Sequence, residues 1–164
     1  TGLYSAISTM YMAQGLRENG KGHIDTVEFE LAHVNRSRIR LGKLGLSNFV
    51  TIHHADARLF QPSPSKQYQF ILLDTEPQTR FEELVKFEPY LQPGGYIFIH
   101  DLHRHMGQTG VNPDHPDVKF WPWGEIPEAM KKLVADGILR PFHFANPRGL
   151  TGFYKVSPED YQWG

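Results

Sequence analysis

The chain has no cysteine among its 164 residues. That absence excludes disulfides, thiolate metal sites and a cysteine nucleophile, and it fits a cytoplasmic home, where thiols stay reduced. Also missing is any apolar run near the roughly 20 residues that a bilayer-spanning helix needs, so no membrane partner is expected. Charge of one sign is scarce. Seventeen Lys and Arg against 18 Asp and Glu leave a formal net charge of −1 with no basic block. The electrostatic footprint of a nucleic-acid partner is therefore not there. Thr1 is not an initiator Met and no secretory signal pattern follows it. What is present is ordinary for a soluble globular protein, 40% hydrophobic and 21% charged residues. This suits one domain over residues 1–164.

Periodicity divides the chain into alternating segments. Residues 4–19 read as a helix with Ile7, Met10 and Tyr11 on one face, ended by Asn19-Gly20. Residues 23–29 (HIDTVEF) read as a strand, and 31–44 as a helix with Leu31, Val34 and Leu41 inward and Gly45 as its stop. Residues 49–54 form a short strand, and 69–74 (QFILLD) an apolar strand that ends on an acid. Residues 80–91 are helical through Phe81, Leu84, Val85 and Leu91, and Pro93-Gly94-Gly95 turns the chain into a strand at 96–100 (YIFIH). An irregular stretch over 101–123 precedes an amphipathic helix at 125–135. Strands at about 139–145 and 150–156 then flank Asn146-Pro147-Arg148-Gly149 as an antiparallel hairpin.

Such alternation predicts an α/β fold: a Rossmann-like, doubly wound, mostly parallel sheet closed by a C-terminal antiparallel hairpin. Ligands in such sheets sit at the carboxyl ends of the strands. The residues to read are therefore Glu28, Asp56, Asp74 and Asp101, an acid at each strand end. Thr1-Gly2-Leu3-Tyr4-Ser5 enters a helix with residues small enough for main-chain N–H groups to approach an anionic group. Glu28 suits both ribose hydroxyls of a nucleoside cofactor, or is a solvated strand-end acid beside Glu30. Asp56 and Ala57 suit the edge of an adenine, or Asp56 caps the turn toward Leu59.

In order, T-G-x-Y-S, TVEFE, HHADA, ILLD and L-x-PGG-YIFIHD resemble the motif series of class I S-adenosylmethionine-dependent methyltransferases. The nearest likeness is to the small-molecule O-methyltransferases of the catechol and sugar types. The resemblance runs over nearly the whole chain. It implies that Gly2, Tyr4 and Ser5 line the methionine and ribose end of S-adenosylmethionine, and that Glu28 holds the ribose. It also implies that Phe29 lies against the adenine, Asp56 and Ala57 at its edge, and Asp74 beside the sulfonium. In the resembling fold a further central strand precedes the Thr1-Gly2 region and separates the strands at 23–29 and 69–74. The chain is thus expected to be an N-terminally shortened piece whose two strands lack their shared neighbour.

Asp74 and Asp101 on adjacent strands suit Mg²⁺ or another divalent metal that would orient an acceptor hydroxyl. One departure weighs against it: Leu102 stands where the metal-using relatives carry a third oxygen ligand. The Lys that the catechol-type enzymes place shortly after the acid as a base is also absent from Thr75-Glu76-Pro77. The chain has nine histidines. Of these, His100, His103 and His105 cluster after the strand at 96–100, where an imidazole would accept a proton at neutral pH. Asp74, Asp101 and His103 are the candidate catalytic residues. Phe120-Trp121-Pro122-Trp123 walls a substrate, or anchors its loop to the core or to a partner subunit in a homo-oligomer. The expected activity is methyl transfer to a small-molecule hydroxyl. The alternatives are an NAD-dependent oxidoreductase, opposed by the lack of a G-x-G-x-x-G, and a noncatalytic protein that kept the fold.

Overall fold

The computed structural model describes residues 1–76, 79–100, 128–144 and 150–161. The chain separates into two compact units, Thr1–Gln61 and Pro62–Gly164. Among the described residues, no helix is long and apolar enough to cross a membrane.

The first unit runs α1 (Ile7–Asn19), β1 (Ile24–Glu28), α2 (Leu31–Lys43), a 3-10 turn (Ser47–Phe49) and β2 (Val50–His54). β1 and β2 pair in parallel, Ile24 opposite Val50 through Glu28 opposite His54. A small core of Ala13, Leu41, Leu46 and Val50, with Met10, Ile24, Phe49 and Ile52 against it, joins the helices to the strands. α2 stops as the sequence suggests. Gly45 takes φ 66°, its N–H reaches the carbonyl of Gly42 at 3.1 Å, and the Leu46 N–H reaches that of Leu41 at 2.9 Å. This is a Schellman ending, and it seats Leu46 on Leu41 in the core.

Two expectations fail in α1 and one in α2. The helix begins at Ile7 rather than Tyr4, because Tyr4 and Ala6 take left-handed φ values of 42° and 61°. Its inward face is Thr9 and Ala13, whereas Ile7 and Tyr11 are exposed. In α2 the buried residues are Val34, Ser37 and Leu41, and Leu31 is exposed. Val34 and Leu41 are buried and Met10 packs against the core as the apolar spacing indicates; what the spacing passed over are the small Thr9, Ala13 and Ser37, which allow close packing.

The second unit contains β3 (Tyr68–Leu73), α3 (Arg80–Phe87), a 3-10 turn (Glu88–Tyr90), β4 (Leu91–His100), α4 (Glu128–Ala135), β5 (Leu139–Phe144), β6 (Leu150–Lys155) and a closing 3-10 turn (Pro158–Tyr161). The sheet order is β3-β4-β6-β5. β3 and β4 run parallel, and β6 is antiparallel to both β4 and β5. The expected hairpin and the adjacency of the strands after which Asp74 and Asp101 fall are both borne out. α3 and α4 touch each other and the sheet, burying Phe81, Leu84, Phe87 and Met130 with Leu73, Ile97, Ile99 and Phe153.

Pro93-Gly94-Gly95 does not precede β4 as a turn but lies inside it. Tyr68 faces Leu91, yet Phe70 faces Tyr96, so the triplet is the outward bulge of a register shift. Gly95 is required there by close approach. A Cβ would stand 2.9 Å from the carbonyl oxygens of Gln69 and Gln92 and from a Leu91 methyl. Among the described residues, β1 pairs with β2 alone and β3 with β4 alone.

Candidate functional site

In the first unit, β1 ends on Glu28, and the segment before α1 is tied to that end. The Gly2 N–H donates to the Val27 carbonyl at 3.1 Å, and the Tyr4 N–H donates to Glu28 Oε2 at 2.8 Å. The other carboxylate oxygen, Oε1, accepts the Glu30 N–H at 2.8 Å. Glu28 is buried, 7% exposed, with the His33 imidazole 3.9 Å from Oε1. A buried carboxylate with main-chain N–H groups on both oxygens has its charge satisfied without a cation.

Left-handed φ at Gly2 (74°), Tyr4 (42°) and Ala6 (61°) bends this segment tightly. For the two residues with a Cβ, the bend costs about 1–2 kcal/mol each. α2 holds it in place. Arg40 Nη1 donates to the Ser5 carbonyl at 2.8 Å, and the buried Ser37 hydroxyl reaches the Tyr4 carbonyl at 3.5 Å. The Tyr4 ring stands edge-on to His33, centroids 4.7 Å apart. Gly2, Tyr4, Ser5 and Glu28 thus form one cluster. The braces His33, Ser37 and Arg40 were not foreseen. The signal for Ser37 was a hydroxyl on the inward stripe of an otherwise apolar helix face.

Phe29 follows Glu28 with its ring 65% exposed, and its carbonyl faces His54 Nε2 at 3.0 Å. The Ala55 N–H returns to the Glu28 carbonyl at 3.0 Å, so the ends of β1 and β2 are laced together. Asp56 does what the turn-capping alternative foresaw. Its Oδ1 accepts the Arg58 N–H at 2.8 Å, and its carbonyl accepts the N–H groups of Leu59 and Phe60. Arg58 also grips both Asp56 oxygens, Nη2 at 2.5 Å from Oδ2. Ala57 beside it is buried. Phe29, Asp56 and Ala57 therefore sit at the same strand-end edge as Glu28.

The second unit carries Asp74 immediately after β3 and His100 as the last residue of β4, on neighbouring parallel strands with Leu73 opposite Ile99. His100 Nδ1 lies 3.0 Å from Asp74 Oδ1, and Arg80 Nη2 lies 3.5 Å from the same oxygen. Arg80 opens α3 yet is only 5% exposed. Its Nε donates to the Thr75 carbonyl at 2.8 Å, its Nη2 to that carbonyl as well, and its Nη1 to the His100 carbonyl. One turn on, the buried Glu83 takes the Thr75 hydroxyl at 2.6 Å and the Thr79 hydroxyl at 3.2 Å. Arg80 and Glu83 thereby fasten the loop after β3 to the strand ends. Sequence reasoning missed both. A charged pair on a helix reads as a solvated face until tertiary structure shows what it faces.

Asp101, His103 and His105 lie outside the described residues, as do Leu102 and the Phe120–Trp123 segment. The described residues do not fit Mg²⁺. Asp74 Oδ1 already faces an imidazole and a buried guanidinium, and a divalent cation within about 4 Å of that guanidinium would meet repulsion of about 8 kcal/mol. Among the described residues, no three His, Asp or Glu gather as metal ligands would.

A sequence profile of the family described as a methyltransferase domain matches residues 1–102. No curated protein matches the chain by sequence. The fold is similar to that of the O-methyltransferase of tomaymycin synthesis from Streptomyces achromogenes, solved with S-adenosylmethionine. Their TM-score is 0.69 at 16% identity, over 95% of this chain and 71% of that one. A methyltransferase from Podospora anserina bound to S-adenosylhomocysteine gives 0.68 at 18% identity, over 95% and 70%. The O-methyltransferase from Bacillus cereus in complex with S-adenosylhomocysteine gives 0.67 at 16%, over 94% and 71%. At such identities the likeness concerns the fold alone.

Proposed function

The chain belongs to the methyltransferase-domain family that its residues 1–102 match, and from that premise we propose that it transfers the methyl group of S-adenosylmethionine to a hydroxyl oxygen of a small-molecule acceptor. Glu28 carries the reading. Each of its oxygens takes one main-chain N–H. A carboxylate offers about four acceptor positions, so capacity remains on both oxygens for the two hydroxyls of a ribose. Phe29 supplies an exposed ring face for the adenine, and Asp56 and Ala57 its edge. Gly2, Tyr4 and Ser5 supply main chain for the ribose and methionine end. Bound there, the cofactor brings a methyl group on a positively charged sulfur. The acceptor is read as a small molecule because a net charge of −1 without a basic block offers no grip on a phosphate backbone.

Titration calorimetry of the whole chain with S-adenosylhomocysteine and with NAD tests the proposal. The first should bind and the second should not. Glu28→Ala should weaken binding by about 1.5–3 kcal/mol, the scale of a lost charged hydrogen bond. Glu28→Gln, which keeps one acceptor for the Tyr4 N–H, should lose less. Tight NAD binding without S-adenosylhomocysteine binding would sink the reading, and unchanged affinity in both variants would remove Glu28 from the site.

A further inference from the structure

The nucleoside site in the first unit has one titratable neighbour whose part is unassigned. His33, in the first turn of α2, brings Nδ1 to 3.9 Å from Glu28 Oε1. That is about 1 Å beyond a hydrogen bond, so the ring does not occupy the oxygen in this arrangement. Oε1 accepts the Glu30 N–H and Oε2 the Tyr4 N–H, each at 2.8 Å. A carboxylate oxygen has about two acceptor positions. One place therefore remains on each oxygen. We propose that His33 is a positioning residue which sets, by its charge, whether the place on Oε1 is open to a ribose hydroxyl. The proposal rests on the methyl-transfer reading above, in which Glu28 holds both ribose hydroxyls.

The two states differ by one bond. An uncharged imidazole gains little by closing on the carboxylate. An imidazolium carries a hydrogen on both ring nitrogens, and its bond to a carboxylate is charge-assisted, roughly twice as strong as a neutral one. Glu28 is 7% exposed, so water competes weakly for its oxygens. The charged ring closes on Oε1 and fills the second place beside the Glu30 N–H. Only Oε2 is then left for a ribose that needs two acceptors. Cofactor binding and protonation of His33 oppose each other, and by linkage each weakens the other by the same factor.

The setting suits such a role. The His33 side chain is 24% exposed, so it exchanges its proton with water. It is also held close to Glu28, because the Tyr4 ring stands edge-on to it at 4.7 Å and Tyr4 is itself tied to the carboxylate. The charged and titratable groups that the first unit sets around the ring come from four elements. Glu28 is on β1, and Tyr4 precedes α1. Glu30 caps the start of α2, with Arg36 and Arg40 on its next two turns, Arg40 turned to the Ser5 carbonyl. On β2, His54 stands opposite Glu28, its Nε2 3.0 Å from the Phe29 carbonyl. A carbonyl only accepts, so that nitrogen of His54 keeps its hydrogen in either charge state. His54 is the second histidine near Glu28 and serves as the control.

Titration calorimetry of the whole chain with S-adenosylhomocysteine, from about pH 8 to about pH 5.5, covers the range in which histidines change charge. Affinity should fall about tenfold on acidification, the equivalent of one hydrogen bond to a charged group. Near the middle of the range, binding should release protons, seen as heats that vary with the buffer's ionisation enthalpy. His33→Gln, and His33→Phe, which keeps a ring against Tyr4, should bind in the alkaline range and lose both effects. His54→Gln, which still offers an N–H to the Phe29 carbonyl, should keep them. In the free chain the Glu30 amide resonance should move on the same acidification, and hold still in His33→Gln. Affinity that is constant or rises on acidification overturns the role of His33. So does proton release that survives both His33 variants or disappears in His54→Gln. A Glu30 amide that stays put in the wild-type chain overturns the pairing of His33 with Oε1. A chain that binds no S-adenosylhomocysteine at any pH overturns the methyl-transfer reading instead, and the Glu30 amide still decides the pair.

Discussion

Replacing Arg80 by Met tests how firmly the loop after β3 is held. Methionine keeps most of the apolar stem and removes the guanidinium, so the change isolates the polar contacts. In the wild-type chain that group donates to two main-chain carbonyls, those of Thr75 and His100, and lies 3.5 Å from Asp74 Oδ1. The side chain is 5% exposed, so water does not readily take over its partners. Each hydrogen bond to a charged group contributes about 1.5–3 kcal/mol. Breaking a buried charged pair by removing one partner costs about 3–5 kcal/mol. Asp74 keeps His100 and is partly solvated, which holds the expected loss near the lower part of that range, at about 3–4 kcal/mol. Against a total stability of about 5–15 kcal/mol that is a large fraction. Urea denaturation followed by circular dichroism should show a lowered midpoint with an unchanged slope. Glu83→Gln, which still accepts the hydroxyls of Thr75 and Thr79, is the control and should cost about 1 kcal/mol or less. A loss below about 1 kcal/mol for Arg80→Met would refute the claim that the clamp is desolvated and matters to the fold.

Gly95→Ala should destabilise the chain by about 1–3 kcal/mol, because the new methyl meets two main-chain oxygens at 2.9 Å that cannot turn aside. A midpoint equal to wild type in the same denaturation would show that the bulge relaxes. The last β-strand gives a pH prediction. The Ser157 N–H and then the Tyr154 hydroxyl hold the Asp160 carboxyl below the usual carboxylate range, and the bond to Asp160 raises the Tyr154 phenol. A lowered folded-state carboxyl contributes stability above its unfolded value and loses it as pH falls through the lowered one. For the raised phenol, stability is present below its unfolded value and lost as pH rises through the raised one. The protection of the Ser157 amide against hydrogen exchange, taken relative to the unstructured rate at the same pH, should therefore fall on acidification below about pH 4. Asp160→Asn should flatten that dependence, and an unchanged profile in the variant would remove Asp160 as its cause.

The order and kind of nearly every element were legible in the sequence, because buried strands of valine, isoleucine and leucine alternate with amphipathic helices. The Schellman end of α2 at Gly45 and the closing hairpin were legible too, for both depend on local chemistry. What escaped depends on partners far along the chain. The helix could not be seen to start at Ile7, since the left-handed Tyr4 is held by Glu28, 24 residues away in sequence. The bulge at Pro93-Gly94-Gly95 reads as a turn until β3 is laid beside it. Glu28 was placed by strand-end logic and is found buried with two N–H donors. Asp56 is found gripped by Arg58, a pairing at short range that composition did not reveal. Arg80 and Glu83, buried charges, run against the general preference of such residues for water.

Arg80 grips main-chain oxygens, those of Thr75 and His100, and a main-chain oxygen is the one chemical group that every residue shares. Such a clamp is blind to the side chains on the loop it fastens. The guanidinium's hold on Thr75 and His100 therefore does not depend on which side chains those two residues carry.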